Sequence, residues 1–307
     1  MKAIINPRPL AGTVPAIASK SMAHRLIIAA ALSNDVTHVT CNTTCADIEA
    51  TVRCLEALGA KIENTEDGFS VRPAPRSVEF GLLKALHGGT LDCGESGSTL
   101  RFMLPVACAL GAEASFVGAG RLGSRPLAPL SDEIIAAGCD LDGLGGFPLK
   151  TSGRMRAGRF VLPGNVSSQY ISGLLLSFPL LDGASEVAVM GKIESRPYIN
   201  LTIQAMKEFG VEVAVRHTDA TPSQPETTTF SVNARGYRSP GTVQVEGDWS
   251  NAAFWLCAGA LSDAPIAVEG VSLNSAQGDR NVMAALSRFG ARIQRAPKCA
   301  TAQPDAL

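Results

Sequence analysis

Four glycines, Gly59, Gly138, Gly210 and Gly290, stand 79, 72 and 80 residues apart, and each closes the same short pattern. Leu55-Glu-Ala-Leu runs into Gly59-Ala-Lys-Ile, Ile134-Ile-Ala-Ala into Gly138-Cys-Asp-Leu, Met206-Lys-Glu-Phe into Gly210-Val-Glu-Val, and Leu286-Ser-Arg-Phe into Gly290-Ala-Arg-Ile. An apolar-periodic run that stops at glycine reads as a helix ending in the left-handed conformation, and alternation such as Lys61-Ile-Glu reads as the strand after it. Another apolar helix precedes each of these, opening at Ser19-Lys20-Ser21, Ser96-Gly97-Ser98-Thr99, Ser167-Ser168-Gln169 and Trp249-Ser250-Asn251. The chain is therefore expected to be mixed α/β (α+β), an array of repeated βαβαββ units, with a period too long for a solenoid.

The second of these starts, Cys93-Gly-Glu-Ser-Gly-Ser-Thr-Leu-Arg101-Phe, predicts a tight polar turn running into a helix. Gly94 and Gly97 let the backbone take positive φ and approach a ligand with no Cβ in the way. Ser96, Ser98 and Thr99 can cap the first turn, and the uncapped N–H groups with the helix dipole form an anion site, to which Arg101 adds a full charge one turn in. An ordinary capped core helix fits a single turn of this kind equally well; its fourfold recurrence favours a ligand site. Lys20 and Arg25, five residues apart, can both point from the first helix start toward a ligand, while a solvated pair of basic residues fits that spacing too. Gly118-Ala-Gly-Arg121-Leu-Gly-Ser-Arg125-Pro-Leu reads as a glycine-rich loop whose two arginines suit a carboxylate or phosphate, followed by a helix opening near Pro126. Ser195-Arg-Pro-Tyr198 opens a further helix, and 217–227, rich in Thr, Pro and Ser, is expected to be an exposed loop between strands.

Composition limits the partners. A net charge of −1 gives no global field toward nucleic acid or membrane, so an anion site must be built locally. Eight cysteines without a Cys-x-x-Cys pair read as reduced core thiols of a cytoplasmic protein. The N-terminus lacks a signal-peptide pattern, and apolar runs such as 26–32 fall far short of a membrane span. A fourth repeat opens at Val245-Glu-Gly-Asp-Trp-Ser and runs to about residue 295, with a polar tail after it.

Seven motifs in order, Pro15 to Arg25, Gly94-Glu-Ser-Gly-Ser-Thr-Leu-Arg101, Ser124-Arg-Pro-Leu127, Val166-Ser-Ser-Gln169, Ser195-Arg-Pro-Tyr198, Val245-Glu-Gly-Asp248 and Asn274-Ser-Ala-Gln-Gly-Asp279, resemble the 5-enolpyruvylshikimate-3-phosphate synthase family over essentially all 307 residues. The resemblance implies two lobes, each of three βαβαββ units, closing over shikimate 3-phosphate and phosphoenolpyruvate. The enolpyruvyl group then passes to the 5-hydroxyl with release of phosphate, in aromatic amino-acid biosynthesis, and no metal or organic cofactor is implied. Carried over by motif, Lys20 faces both substrates, and Ser21 and Arg25 face shikimate 3-phosphate. Gly97 and Arg125 look like phosphoenolpyruvate contacts, and Arg101 remains a candidate through its charge one turn into the helix. Ser167, Ser168, Gln169, Ser195 and Tyr198 form the shikimate 3-phosphate pocket.

By the same resemblance, residues 20–244 make a complete three-unit lobe, and residues 1–19 with 245–307 an incomplete second one. The family's acid/base carboxylates are expected beyond residue 307, which implies doubtful turnover by this chain alone and either self-association or a complementing C-terminal segment. Two positions depart from the family: Glu95 and Ser98 stand where Asn and Thr are usual, and a carboxylate beside an anionic substrate repels unless protonated or turned away. Two other readings stay open, a lobe that binds shikimate 3-phosphate without turnover and the enolpyruvyl transferase that uses a UDP-sugar. Against the latter, Lys20-Ser21 replaces that enzyme's Lys-Asn, and the loop 118–129 has no cysteine.

Overall fold

All four repeat glycines end a helix in the left-handed region, with φ of 97° at Gly59, 106° at Gly138, 73° at Gly210 and 95° at Gly290. The computed structural model describes residues 4, 8–79, 82–85 and 88–304. In chain order, β1 (Gly12–Pro15) is followed by α1 (Lys20–Ala31), β2 (Thr37–Thr40), α2 (Ala46–Ala57), β3 (Lys61–Thr65) and β4 (Gly68–Arg72). A ribbon of β5 (Arg76–Glu79) and β6 (Leu82–Ala85) leads to β7 (Gly89–Asp92), α3 (Gly97–Leu110), β8 (Ala114–Val117), α4 (Leu130–Ala136), β9 (Cys139–Asp142) and β10 (Leu149–Gly153). The third repeat holds β11 (Arg159–Pro163), α5 (Ser168–Ser177), β12 (Ser185–Met190), α6 (Arg196–Glu208), β13 (Val213–Thr218) and β14 (Thr227–Val232). Last come β15 (Thr242–Gln244), α7 (Trp249–Leu261), β16 (Ile266–Glu269), α8 (Val282–Arg288), β17 (Arg292–Ala296) and β18 (Cys299–Gln303).

Four four-stranded sheets share one topology, with orders β15-β2-β4-β3, β7-β8-β10-β9, β11-β12-β14-β13 and β1-β16-β18-β17. In each, the first pair is parallel and the other two are antiparallel. In the second and third sheets the parallel pair flanks the first helix of the repeat, as a βαβ crossover requires. Two sheets take their first strand from outside the linear repeat: β15 completes the first and β1 completes the fourth. The polar tail read after residue 295 is instead β18, an inner strand whose Ala300 and Ala302 are fully buried. Its small alternating residues fit a pleated, half-covered face although they carry little hydrophobicity.

The chain divides into a unit of Lys20–Val245 and a second unit made from the segments before and after it. In the 20–245 unit, α1, α3 and α5 are apolar nearly all round and are covered on all sides, with 22–31, 102–110 and 170–177 buried. Helices buried in this way need contact with other helices around their whole circumference. A Cβ on Gly173 of α5 would run into the carbonyl of Arg101 on α3, so these two helices touch nearly backbone to backbone. That close approach brings the polar starts of two repeats together.

The other unit has a smaller core of Ala16, Trp249, Ala252, Leu256, Val268, Val271, Met283, Ala300 and Ala302. Its helix α7 is also apolar all round, yet Phe254 is 77% and Leu261 89% exposed, as is Phe289 at 88% after α8. Among the described residues no helix is long and apolar enough to cross a membrane.

Candidate functional site

The start of α1 separates its two cations. Lys20 is exposed and its Nζ donates to Asp47 Oδ2 at 2.8 Å. Arg25 does not point out beside it, contrary to expectation from the sequence, but is 2% exposed. Its Nε donates to Thr202 Oγ1 at 2.7 Å, Nη1 to the carbonyl of half-buried Ser21 at 2.5 Å, and Nη2 to the Tyr198 carbonyl at 3.0 Å and Ser172 Oγ at 3.4 Å. The guanidinium carbon also lies 4.9 Å over the Phe102 ring. Burial pushes the Arg25 pKa down to about 9, partly offset by Tyr198. A cation seated among neutral oxygens is stabilised by any anion that comes near.

At the start of α3, Gly94 is in the left-handed region at φ 53°, its N–H donating to Asp92 Oδ1 at 2.9 Å, and Ser96 caps the helix by accepting from Thr99 N at 3.2 Å. Gly97 takes no positive φ; it lies in the first helical turn, and space rather than φ is what selects glycine there. A Cβ on Gly97 would stand 2.9 Å from Arg125 Nη1 and 3.1 Å from Arg101 Nη1. Two guanidinium groups thus flank one Cα, and among the described residues neither forms an ion pair with a carboxylate. The Nε of Arg101 is buried with no hydrogen-bond partner. Glu95 is exposed and lies against the neighbouring loop, where a Cβ on Gly120 would stand 2.5 Å from its Oε1.

The third start is tied to the second. Ser167 caps α5 by accepting from Gln169 N at 3.3 Å, and half-buried Ser168 is the first helical residue. Gln169 bridges the repeats, accepting from Arg101 Nη1 at 2.7 Å and donating to Ser98 Oγ at 2.8 Å. Tyr170 places its ring 5.5 Å from the Arg101 guanidinium and donates its hydroxyl to the Pro126 carbonyl at 2.6 Å, which fixes the loop carrying Arg125. Pro126 is not helical as expected; α4 begins only at Leu130. Ser195 is the exposed N-cap residue of α6, its carbonyl accepting from Tyr198 N at 3.1 Å, and Tyr198 is 38% exposed.

Behind these starts runs a buried chain of polar groups for which the sequence gives no local signal. His24 Nδ1 lies 2.7 Å from Thr51 Oγ1, Thr51 Oγ1 lies 2.8 Å from Thr99 Oγ1, and Thr99 donates to Ser96 Oγ at 2.9 Å. With Ser172 and Thr202 around Arg25, it welds helices α1, α2, α3, α5 and α6 into one frame. Every candidate residue, Lys20, Ser21, Arg25, Gly97, Arg101, Arg125, Ser167, Ser168, Gln169, Ser195 and Tyr198, lies on this frame or on a loop tied to it. The fourth helix start is of another kind. Asp248 caps α7 through Asn251 N at 2.8 Å, Ser250 donates to Asp279 at 2.5 Å, and Glu246 accepts from Ser275 and Gln277. Carboxylates fill it, so it does not repeat the anion-seeking character of the other three.

A surface of helix N–H groups, hydroxyls and converging guanidinium groups is suited to a small polyanion. The model of the family described as EPSP synthase (3-phosphoshikimate 1-carboxyvinyltransferase) matches residues 4–305. A 3-phosphoshikimate 1-carboxyvinyltransferase of Clostridium beijerinckii is 40% identical over 294 residues, covering 94% of this chain and 64% of that protein. One from Clostridium kluyveri is 34% identical, covering 98% and 67%. An EPSP synthase structure from Acinetobacter baumannii matches the fold with a TM-score of 0.75 at 21% identity, covering 97% of this chain and 65% of that one. The chain spans about 64% of the length of the first curated relative that it matches. On the family match across nearly its whole length, the chain belongs to the EPSP synthase family.

Proposed function

We propose that the 20–245 unit is the shikimate 3-phosphate lobe of an enolpyruvyl transferase, which passes the enolpyruvyl group of phosphoenolpyruvate to the 5-hydroxyl of shikimate 3-phosphate and releases phosphate. The observation that carries the reading is the convergence of Arg101 and Arg125 on Gly97 at a capped helix start, neither of them ion-paired among the described residues. Phosphoenolpyruvate, small and highly charged, fits there, with Lys20 shared between the two substrates. Ser21, Ser167, Ser168, Gln169, Ser195 and Tyr198 hold shikimate 3-phosphate, and buried Arg25 supports its charge from below. The same donors stabilise charge that develops on a tetrahedral adduct. Eight free thiols support a reducing, cytoplasmic setting.

Ser167→Ala combined with Ser168→Ala tests the larger ligand. Each lost charge-assisted hydrogen bond is worth roughly 1.5–3 kcal/mol, so calorimetry should record about hundredfold weaker binding of shikimate 3-phosphate. UDP-N-acetylglucosamine should give no heat. Unchanged affinity for shikimate 3-phosphate in the double variant would remove these serines from the pocket.

We also propose that the isolated chain self-associates through the outer face of α7. Phe254 and Leu261, seven residues apart, share one face, and the corresponding helices of the other unit are covered. Sedimentation should show association that rises with concentration and disappears in Phe254→Glu with Leu261→Glu. A monomer at all concentrations would contradict this.

A further inference from the structure

Asp47, in the first turn of α2, belongs to no motif of the sequence, yet it joins two of the helix starts. Its carboxylate accepts from Lys20 Nζ at 2.8 Å, and its backbone carbonyl lies 3.2 Å from Thr99 Oγ1. Burial would push the Asp47 carboxyl up, but the Lys20 hydrogen bond and charge, with smaller contributions from His24 and Ser96, bring it below its ordinary value and keep it ionised. The side chains of Lys20 and Asp47 are 51% and 32% exposed, and an ion pair this wet adds little to stability. What it does supply is direction. Lysine carries a compact charge on a flexible four-carbon stem, which a fixed acceptor can hold in place.

We propose that Asp47 is a positioning residue: it holds the Lys20 ammonium in register with the Ser96–Gly97 turn, so that the ligand meets a preset cation. The proposal rests on the reading of Lys20 as a ligand contact. It makes a prediction opposite in sign to simple electrostatics, because removing a negative charge beside an anion site should tighten binding, whereas losing the hold on Lys20 should weaken it.

The test is a double-mutant cycle in the whole chain, with Asp47→Asn, Lys20→Met and the pair, read by calorimetry with shikimate 3-phosphate. Immobilising one rotamer-rich side chain on binding corresponds to about a three- to tenfold loss of affinity, which is the expected effect of Asp47→Asn. In the Lys20→Met background the same substitution should change affinity by less than about twofold, since coupled residues lose their effect together. Asp47→Glu should recover most of the loss. Tighter binding in Asp47→Asn, an equal loss in both backgrounds, or no effect of Lys20→Met would each overturn the proposal.

A ligand-free measurement separates the two claims. The side-chain carbons of Lys20, labelled with 13C and assigned by their disappearance in Lys20→Met, should relax as an ordered side chain in the wild-type chain and as a mobile one in Asp47→Asn. Equal mobility would overturn the positioning role even if shikimate 3-phosphate binds. Failure of the wild-type chain to bind shikimate 3-phosphate would instead defeat the ligand reading, and with it the proposed purpose of the hold.

Discussion

Gly97→Ala is expected to weaken phosphoenolpyruvate binding by at least tenfold while leaving the unfolding midpoint nearly unchanged. The added methyl would stand 2.9 Å from Arg125 Nη1 and 3.1 Å from Arg101 Nη1. Both contacts are with the ends of long side chains, and Arg125 is exposed, so the fold accommodates the methyl by moving the guanidinium groups rather than the backbone. Gly97 has no positive φ, so alanine incurs no left-handed strain, and alanine is the better helix former. The loss therefore falls on binding: displacing one or two charge-assisted contacts, at roughly 1.5–3 kcal/mol each, corresponds to about 10- to 100-fold or more. Shikimate 3-phosphate, placed at the α5 start, should lose no more than about threefold. Titration calorimetry with each ligand, beside a thermal melt, reads all three quantities. Equal losses for both ligands with a falling melting temperature would make Gly97 a packing residue.

The repeats were legible because their punctuation is local. A glycine after an apolar run and a serine before one are decided by backbone conformation within a few residues, and the helix ends at Gly59, Gly138, Gly210 and Gly290 follow that logic. The exchange of first strands was not legible. Thr242–Gln244 has only three residues, too short to show alternation, and its partner β2 lies some two hundred positions earlier. Strand β18 is hidden for a different reason, since Cys-Ala-Thr-Ala-Gln is short and interleaves its two small buried alanines with Thr301 and Gln303, which leaves no valine, isoleucine or aromatic signature of an inner strand.

The candidate site divides along the same line. Serine, glycine and arginine at helix starts advertise themselves, because few backbone settings need them together. The direction of Arg25 could not be inferred from its spacing to Lys20, since what draws it inward is Thr202, 177 positions away, and the face of Phe102. Asp47 was invisible for a related reason: an acidic residue in a first helical turn already has a sufficient local explanation in the helix dipole, and its partner lies 27 positions earlier. Of the two reasons that single out Gly97 in the sequence, the positive φ does not hold, whereas the need for space does, since a Cβ there would crowd two guanidinium groups.

Acid should loosen the 20–245 unit well before its carboxylates titrate. His24 is 1% exposed, and burial first, then the neighbouring Arg25 and Lys20 charges, against an opposing pull from Asp47, lowers its pKa from 6.5 to about 3. In the unfolded chain it takes up a proton near pH 6.5, whereas in the folded unit it does not until about pH 3. Between those values the unfolded state binds more protons, so stability falls as pH falls, by up to about 1.4 kcal/mol per pH unit and on the order of 4 kcal/mol across the window. Asp47 acts in the same direction, but its carboxyl is lowered from 3.8 and so contributes only at the acid end. The interval from pH 6.5 to 4.5 therefore isolates the histidine. Urea melts at half-unit steps through this interval should give a steadily falling midpoint for the wild-type chain. His24→Asn, which can keep a hydrogen bond to Thr51, removes the titrating ring and should give a lower but nearly level stability over the same range. An undiminished slope in the variant would show that the acid sensitivity arises elsewhere, and that the ring at the centre of the frame is not held in its neutral form.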